Sequence, residues 1–452
     1  MCRVGQILQR SSNEVLRGMK HVIARLKIRV RDRLRYAAVL QWLMGRVLEL
    51  QGRVAKSVAE RLAFSARAFR LLAPLGSAAG LTRRLRPYVA DLKGVSIWRD
   101  QRIGWEDRGD SVDEFEISKG IILKPYLSPR EKGVLFISFE YNWLPLLGLK
   151  RAKALFDRYM LICAPSWSPP PFPAIWSMAG LPHGDVFVLQ SNFAEAGWYQ
   201  SLPTNVTPLP LLISHWIDPG FYQPRAPQDR DIDVLMVANW AMFKRQWVLF
   251  DALRRIPKRY RVVLVGQPDS GRTMADIEAE ATAFGVRDQV EIRERLSIDE
   301  VTALQCRSKV SLVFSRREGS CVVVAESLFA DCPVGLLQGA HIGSSAFINE
   351  KTGVMLDESR LAEELPAFID RFAEFSPRAW ATSEISCFAS GKVLNEQLAE
   401  WSRKEGREWT REAVPFMCRP NPRYLDAETE ATMTEAYRDL YETSGVRVAG
   451  RF

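Results

Sequence analysis

The apolar positions near the start of the chain recur at helical spacing. Two series of apolar residues repeat every three or four positions over residues 12–72: Val15, Met19, Val22, Leu26, Val30 and Leu34, then Leu43, Val47, Leu50, Val54, Val58 and Leu62. Residues at this spacing share one face of an α-helix, so the pattern predicts amphipathic helices. Arginine and lysine occupy much of the opposite face.

This basic helical region allows more than one interpretation. The plainest is a helical pair packed on the protein or on a partner, with its basic face in solvent. The alternative is attachment to an anionic membrane surface, which an apolar stripe combined with cations favours. We expect no nucleic acid as a partner, because the region has no recognition motif and no aromatic residues interleaved with the basic ones.

After residue 115 the pattern changes to short apolar runs separated by helix-like stretches. Four runs cover residues 133–141, 159–167, 185–192 and 206–214. Five more follow a proline- and charge-rich stretch at 221–231, and they cover 233–239, 261–268, 289–295, 310–315 and 333–337. This alternation predicts two α/β units with parallel sheets. The prolines in 206–214 place that strand at a sheet edge.

The same changes of pattern divide the chain into four parts. We expect a basic helical N-terminal region (1–115), a first Rossmann-like domain (116–225), a second Rossmann-like domain (226–376) and C-terminal helices (377–452). A chain of 452 residues is too long for one ordinary core, which agrees with several domains.

Composition narrows the class of protein. Hydrophobic residues make up 47% and charged residues 25%, as in folded proteins. The net charge of +9 comes from the first 100 residues, which hold 21 basic and 6 acidic side chains. Seven scattered cysteines and four histidines predict no disulfide framework and no metal site. No apolar run reaches membrane-spanning length and no secretory signal is evident, so we expect a cytoplasmic protein, with attachment to the inner face of the membrane as the alternative.

The candidate chemistry lies in residues 315–334, where Glu318 and Glu326 are eight positions apart. On a helix this separation is about 12 Å along the axis. A nucleotide sugar carries its hexose and its ribose at opposite ends of a diphosphate, and a carboxylate can accept two hydroxyl hydrogen bonds. The free N–H groups of a helix N-terminus between the two acids suit the diphosphate. The pattern therefore indicates a nucleotide-sugar site at the carboxyl end of a parallel sheet.

This stretch resembles the E-x7-E signature of retaining glycosyltransferases of the GT-B fold, family four, also described as glycosyl transferases group 1. Three further pieces agree in order: residues 213–224 with Asp218 and Pro224, residues 234–246 with Lys244, and residues 346–356. The resemblance covers about residues 130–375. It implies two Rossmann-like domains that face a cleft, a nucleotide-sugar donor on the second domain and an acceptor on the first. It also implies retention of anomeric configuration without a metal or cofactor.

The resemblance also implies roles for individual residues. Lys244, with Arg245 beside it, would stabilise charge on the departing diphosphate, and Glu318 would position the sugar. Glu326 would hold the ribose. The catalytic candidates are thus Glu318 and Lys244, and the candidates for donor binding are Arg245, Glu326, Gly319, Ser320, Gly266 and Asn239.

The expected activity is transfer of a sugar to a hydroxyl acceptor, either a glycan or a lipid-linked molecule, in polysaccharide biosynthesis. An alternative is an inactive glycosyltransferase-like protein that binds nucleotide sugars or acts as a scaffold. Asn239 and Cys321 motivate this alternative, because the family has an arginine and a glycine there. A sugar-nucleotide epimerase of the same fold is a third possibility, but it needs an acid/base pair that the sequence does not reveal. The sugar, the nucleotide and the acceptor stay open.

Overall fold

Three helices begin the chain: α1 (Cys2–Tyr36), α2 (Ala38–Val54) and α3 (Val58–Leu72). The computed structural model describes residues 2–75, 95–97, 105–107, 112–168, 184–200, 206–419 and 421–451. The expected helical N-terminus is confirmed over α1–α3. The rest of that expected region includes 76–94, 98–104 and 108–111, which lie outside the described residues, as does the side chain of Val15.

The apolar stripe of α1 and α2 faces outward, which corrects the expectation that it packs on the protein. Leu26 is 60% exposed, Leu50 60% and Val54 72%. Other residues of α1 make its contacts with the rest of the chain, since the Arg29 guanidinium lies 2.6 Å from Asp251 and Ile28 packs against the core of the second sheet. Only the later part of the stripe is covered, because Leu62 on α3 is fully buried in the core of the first sheet.

The first sheet has five strands. Three short strands precede it, of which the first two pair with each other: β1 (Val95–Ile97), β2 (Trp105–Asp107) and β3 (Phe115–Ile117). The sheet itself is formed by β4 (Gly120–Lys124), β5 (Gly133–Ser138), β6 (Tyr159–Ala164), β7 (Val186–Gln190) and β8 (Val206–Leu212), in that order. β4 is antiparallel and the others are parallel. β8, with its two prolines, is an edge strand as predicted. Short helices α4 (Ala152–Arg158) and α5 (Ala196–Gln200) lie between the strands in sequence.

The second sheet has six parallel strands in the order β11-β10-β9-β12-β13-β14. Its strands are β9 (Ile232–Val237), β10 (Val262–Gly266), β11 (Val290–Glu294), β12 (Ser308–Val313), β13 (Val334–Leu337) and β14 (Gly353–Leu356). The helices of this unit are α6 (Gln246–Leu253), α7 (Met274–Phe284), α8 (Ile298–Arg307), α9 (Val322–Phe329) and α10 (Leu361–Asp370). Alternate residues of β10 enter two separate cores, Leu264 on one face and Val263 on the other. Both faces of the sheet are therefore covered, as in a doubly wound fold.

The C-terminal part contains the expected helices together with three short strands. It contains α11 (Pro377–Glu384), α12 (Cys387–Lys404), β15 (Phe416–Cys418), β16 (Pro422–Tyr424), α13 (Ala427–Thr432), α14 (Thr434–Ser444) and β17 (Val446–Val448). β17 pairs in parallel with β3. The Tyr424 hydroxyl donates to the Ile122 carbonyl at 2.7 Å, and the Tyr437 hydroxyl accepts from the Ile122 N–H at 3.1 Å. The end of the chain thus returns to the first sheet.

The expected fold class is confirmed: an α/β protein with two Rossmann-like, mainly parallel sheets, a helical N-terminus and C-terminal helices. In the second sheet, β9 is flanked by β10 and β12, so the connections run in opposite directions on its two sides. Ligands of open α/β sheets bind outside the carboxyl ends of the strands at such a switch point.

Candidate functional site

A lysine–glutamate pair lies at the switch point of the second sheet. Lys244 ends a short 3₁₀ turn (Met242–Lys244) after β9, and Glu318 lies in the loop after β12. The Lys244 ammonium is 2.7 Å from each carboxylate oxygen of Glu318. The side chains are 15% and 7% exposed. The structure therefore brings both predicted catalytic residues into direct contact.

The surroundings of Lys244 favour its charged form. Burial alone would lower the pKa of Lys244, but the nearby Glu318 carboxylate outweighs burial and raises that pKa above its ordinary value. The Ser315 hydroxyl donates a further hydrogen bond to Glu318 Oε1. The result is a fixed cation at a sheet edge, with a carboxylate beside it.

Glycines bring the two sheets together next to Glu318. A Cβ added to Gly319 would lie 3.1 Å from the Ser166 carbonyl oxygen, in the loop after β6. A Cβ on Gly343 would lie 1.8 Å from the Ser191 carbonyl oxygen, just after β7. The Gly343 N–H donates to the Gly319 carbonyl at 2.8 Å. The carboxyl edges of the two sheets therefore face each other at this loop.

Ser320 and Cys321 lead into α9. The Ser320 hydroxyl accepts from the Ser214 N–H at 3.1 Å, so it is bonded to the first domain. Cys321 has φ of 55°, in the left-handed region that favours glycine, and it precedes the first residue of α9. The resembled motif has glycine at this position, and the backbone conformation gives the physical reason.

Glu326 on α9 has internal partners. Its Oε1 lies 2.8 Å from Arg419 Nε, and Gln305 donates to its Oε2 at 3.5 Å. Arg419 also donates to the Tyr222 hydroxyl at 2.6 Å. The sequence indicated that an acid within this apolar helix needs a partner, but Arg419 itself was not foreseen. A ribose at Glu326 would use the carboxylate oxygen Oε2, because its one described hydrogen bond, from Gln305, is long at 3.5 Å.

Arg245 is occupied by internal ion pairs. It is fully buried, with bonds of 3.0 and 2.9 Å to Asp32 on α1 and of 2.7 Å to Glu358. It also donates to the Phe314 carbonyl at 3.3 Å. This geometry argues against the donor contact predicted for Arg245, because its guanidinium is already satisfied by anions of the protein.

The other two predicted donor contacts lie at the ends of β9 and β10. Asn239 donates to Asp269 through its side-chain amide. A Cβ on Gly266 would lie 2.3 Å from the Ala238 carbonyl oxygen and 2.6 Å from the Trp240 ring. Gly266 is therefore required for packing, and its donor role and that of Asn239 stay predictions.

The facing edge of the first sheet carries buried carboxyl groups that the sequence did not single out. Glu140 accepts from the Ser166 N–H at 2.6 Å, and burial raises its pKa. Glu195 accepts from the Ser168 hydroxyl, which also lies 2.7 Å from His341 Nε2 of the second domain. Burial raises the pKa of Glu195 to about 8. The sequence signal that could have identified these residues is their position directly after the strands β5, β6 and β7.

His341 connects this group to the lysine–glutamate pair. The His341 carbonyl accepts from the Glu318 N–H at 3.0 Å, and its own N–H donates to the Arg316 carbonyl at 2.8 Å. A hydrogen-bonded series thus runs from Glu195 through Ser168 to His341, immediately beside Glu318. His215 is buried against Phe347, and burial lowers its pKa to about 3.

Within the described ranges, no cluster of three or more histidine, cysteine or acidic side chains could hold a metal ion. None of the helices described is both long and apolar enough to cross a bilayer. A cavity of about 650 Å³ lies along α12, and Lys244 and Glu318 are not among its lining residues.

Comparison with known proteins bears on the second sheet. Residues 222–379 match the family model for glycosyl transferases group 1. This match covers about a third of the chain and includes Lys244, Glu318 and Glu326, but not Asp32 or Arg419. It supports the expected glycosyltransferase activity for this segment. Retention, family four and the acceptor stay predictions. The comparison with curated proteins found no match.

Solved structures of glycosyltransferases are similar to the chain over part of its length. Anabaena Alr3699/HepE in complex with UDP shares 16% identity, with 61% of this chain and 79% of that chain covered and a TM-score of 0.46. Sucrose-phosphate synthase from Thermosynechococcus elongatus shares 17% identity, with 60% of this chain and 73% of that chain covered and a TM-score of 0.47. A glycosyltransferase from Rickettsia africae shares 12% identity, with 59% of this chain and 75% of that chain covered and a TM-score of 0.46. Similarity at this level says nothing about activity.

Proposed function

We propose that the chain transfers a sugar from a nucleoside diphosphate sugar to a hydroxyl acceptor. The observation that carries this proposal is the Lys244–Glu318 pair, which lies at the switch point of the second sheet and faces the first. A fixed cation there suits the diphosphate, and the carboxylate suits the hydroxyl groups of a sugar. The family match over residues 222–379 agrees with this assignment.

The reaction breaks the bond between the anomeric carbon and the diphosphate, and it forms a bond between that carbon and the acceptor oxygen. The proton of the acceptor hydroxyl passes to the departing diphosphate. Negative charge grows on the departing diphosphate, where Lys244 and the free N–H groups at the start of α9 stabilise it. Glu318 holds the sugar ring and favours positive charge at the anomeric carbon. Glu326 Oε2 accepts a ribose hydroxyl. We propose retention of configuration on the strength of the sequence resemblance.

The experiment is a thermal-shift screen with uridine, guanosine and adenosine diphosphates and their sugars, followed by release of the nucleotide from whichever sugar donor binds. Lys244→Ala is expected to lower turnover about 10²–10³-fold, as removal of a preorganised charge stabiliser does. Lys309→Ala is the matched control, because Lys309 pairs with Asp233 at 2.7 Å at the opposite edge of the same sheet. Equal turnover in Lys244→Ala and the control would contradict the proposal.

A second candidate function is binding of nucleotide sugars without transfer. The observation that favours it is the internal pairing of Arg245, which leaves the diphosphate with less positive charge than the sequence suggested. This candidate predicts a thermal shift with a nucleotide sugar and no release of nucleotide in the presence of cell extract. Measurable release that Lys244→Ala abolishes would exclude it.

We also propose that the outward stripe of α1 and α2 attaches the protein to an anionic bilayer surface. Thirteen apolar side chains on these helices are between 45% and 72% exposed: Met19, Val22, Ile23, Leu26, Val30, Leu34, Val39, Trp42, Leu43, Met44, Val47, Leu50 and Val54. A continuous apolar surface of this kind is uncommon on a monomer and marks a docking face. Charge selects the occupant, since the first 100 residues carry 21 basic side chains against 6 acidic ones.

Co-sedimentation with vesicles tests this attachment. The full chain is expected to bind vesicles of phosphatidylglycerol and phosphatidylcholine more strongly than vesicles of phosphatidylcholine alone. The double variant Leu26→Ser/Leu50→Ser should bind less, since each buried leucine contributes about 1.5–3 kcal/mol. Leu127→Ser is the control, because Leu127 is 45% exposed but lies beside the first sheet. The proposal would be contradicted if the chain were a dimer in solution and bound neither kind of vesicle.

A further inference from the structure

One buried arginine connects the N-terminal helix to the candidate site. Arg245 directly follows Lys244, and its guanidinium makes two hydrogen bonds to the Asp32 carboxylate on α1. Arg245 is fully buried and the Asp32 side chain is 8% exposed. Since Asp32 lies 213 positions earlier in the chain, this contact joins the N-terminal helix to the turn that carries Lys244.

The backbone at Arg245 needs such support. Its φ of 56° and ψ of 44° are left-handed, a conformation that is unfavourable for a residue with a Cβ. Residues persist there only where their surroundings hold them. Asp32, Glu358 and the Phe314 carbonyl are the groups that hold this guanidinium. The direction of the chain between Lys244 and α6 therefore depends on where the Arg245 side chain is fixed.

We propose that Asp32 is a positioning residue, which holds Arg245 and thereby fixes the turn that presents Lys244 to Glu318. The inference rests on the proposed function for the role of Lys244. α1 is then part of the donor site, although its side chains do not touch Lys244 or Glu318 among the contacts described. Displacement of a reacting group by about 1 Å is enough to reduce turnover 10²-fold.

The chain offers a matched control on the same helix. Arg29 lies one turn before Asp32 and pairs with Asp251 of α6 at 2.6 Å. Arg29→Gln therefore removes another charged contact between α1 and the second domain but leaves Arg245 untouched. If Asp32→Ala has an effect that Arg29→Gln lacks, that effect is specific to the contact with Arg245. If the two variants have equal effects, the cause is a loss of contact between α1 and the second domain.

The first measurement is amide hydrogen exchange of the segment 241–250 in the full chain. It contains the Lys244, Arg245 and Val248 amides, which donate to the Ala241, Met242 and Arg245 carbonyls. Asp32→Ala is expected to speed exchange there about 10-fold and Arg29→Gln less than about 2-fold. Equal exchange in the two variants, or no change in Asp32→Ala, overturns the inference. If Asp32→Ala does not fold, Asp32→Asn is read by the same criterion, with about a 3-fold increase expected.

The second measurement separates this inference from the proposed function. Asp32→Ala should weaken binding of the nucleoside diphosphate found in the screen about 10-fold and leave binding of the corresponding nucleoside unchanged, because Lys244 acts on the phosphates. Equal weakening of both ligands overturns the inference. If the wild-type chain binds no nucleotide, the proposed function fails, while hydrogen exchange still decides whether Asp32 positions the turn.

Discussion

The carboxyl edges of the two sheets both carry buried acids, but they satisfy them in different ways. On the second sheet, Glu318 and Glu326 are paired with the cations Lys244 and Arg419. On the first sheet, Glu140 and Glu195 accept hydrogen bonds from serine hydroxyl groups and backbone N–H groups, and burial raises their pKa values. The acids of the second sheet are thus held by fixed positive charge, and those of the first favour the neutral form.

This difference indicates which ligand each edge suits. A cation next to a carboxylate suits a charged leaving group attached to a sugar. Neutral carboxyl, hydroxyl and imidazole groups suit an uncharged, hydroxyl-rich molecule, because they can donate and accept hydrogen bonds without a net charge. The contrast agrees with a donor on the second sheet and an acceptor on the first.

The largest expected effect compares one residue from each edge. Arg419→Ala leaves the Glu326 charge without its partner and should lower the free energy of unfolding by about 3–5 kcal/mol. Ser168→Ala removes a neutral partner of Glu195 and should cost only about 0.5–1.5 kcal/mol. Denaturant unfolding of both variants checks this, and equal losses would remove the contrast between the edges.

The next effect concerns the place where the two edges meet. Gly343→Ala puts a Cβ within 1.8 Å of the Ser191 carbonyl oxygen, so the loops must separate. We expect a loss of about 1–3 kcal/mol in the free energy of unfolding, measured by denaturant. Gly391→Ala is the control, because its nearest neighbour would be Pro415 at 3.6 Å. Destabilisation of both variants by the same amount would contradict a close interface at Gly343.

The pH dependence of stability tests the neutral state on the first sheet. Glu195 binds its proton more tightly when folded, so its contribution is complete below pH 4.5 and is lost as the pH rises to about 8, by at most about 1.4 kcal/mol per unit. Glu195→Gln should flatten stability across that window.

Glu131, on the loop before β5, provides the opposite sign. Burial would raise its pKa, but Lys124 at 2.8 Å and bonds from Thr410 outweigh burial and lower the pKa to about 2. Its contribution is present above pH 4.5 and is lost as the pH falls towards 2, so Glu131→Gln should change only the acid side. A change on the same side in both variants would contradict the assignment.

The smallest effect concerns the left-handed residue before α9. Cys321→Gly removes the backbone strain but increases the conformational entropy of the unfolded chain. The free energy of unfolding should therefore change by less than about 1 kcal/mol. Cys321→Val places a β-branched side chain at φ of 55° and should cost more than about 1 kcal/mol. Thermal unfolding compares the two, and a Val variant as stable as the Gly variant would argue against strain at this position.

Much of the fold could be predicted because its signals are local. Apolar runs bounded by turn residues predicted four of the five strands of the first sheet and five of the six strands of the second, but not β4 or β14. The prolines of β8 predicted an edge. The start of α8 also has a local signal, since Ser297 and Glu300 form a capping box there. The short strands β15–β17 were missed, because three-residue strands carry almost no periodicity and β17 depends on pairing with the distant β3.

In the candidate site, too, the sequence predicted one part and missed another. Residue types and spacing led to Glu318 and Glu326, and the family resemblance added Lys244. An acid in an apolar helix, such as Glu326, needs a partner. The identity of that partner, Arg419, depends on a contact far apart in sequence, and so does the pairing of Arg245 with Asp32. The outward direction of the α1 stripe was equally hidden, since periodicity defines a face but not what lies against it.

The N-terminal helices touch both halves of the molecule. α1 is bonded to the second domain through Asp32 and Arg29, whereas α3 contributes Leu62 and Phe69 to the core of the first sheet. α2, which lies between them, therefore joins the contacts that α1 and α3 make with the two halves. Because α2 also carries exposed apolar side chains, the proposed attachment to a lipid surface would act directly on this link.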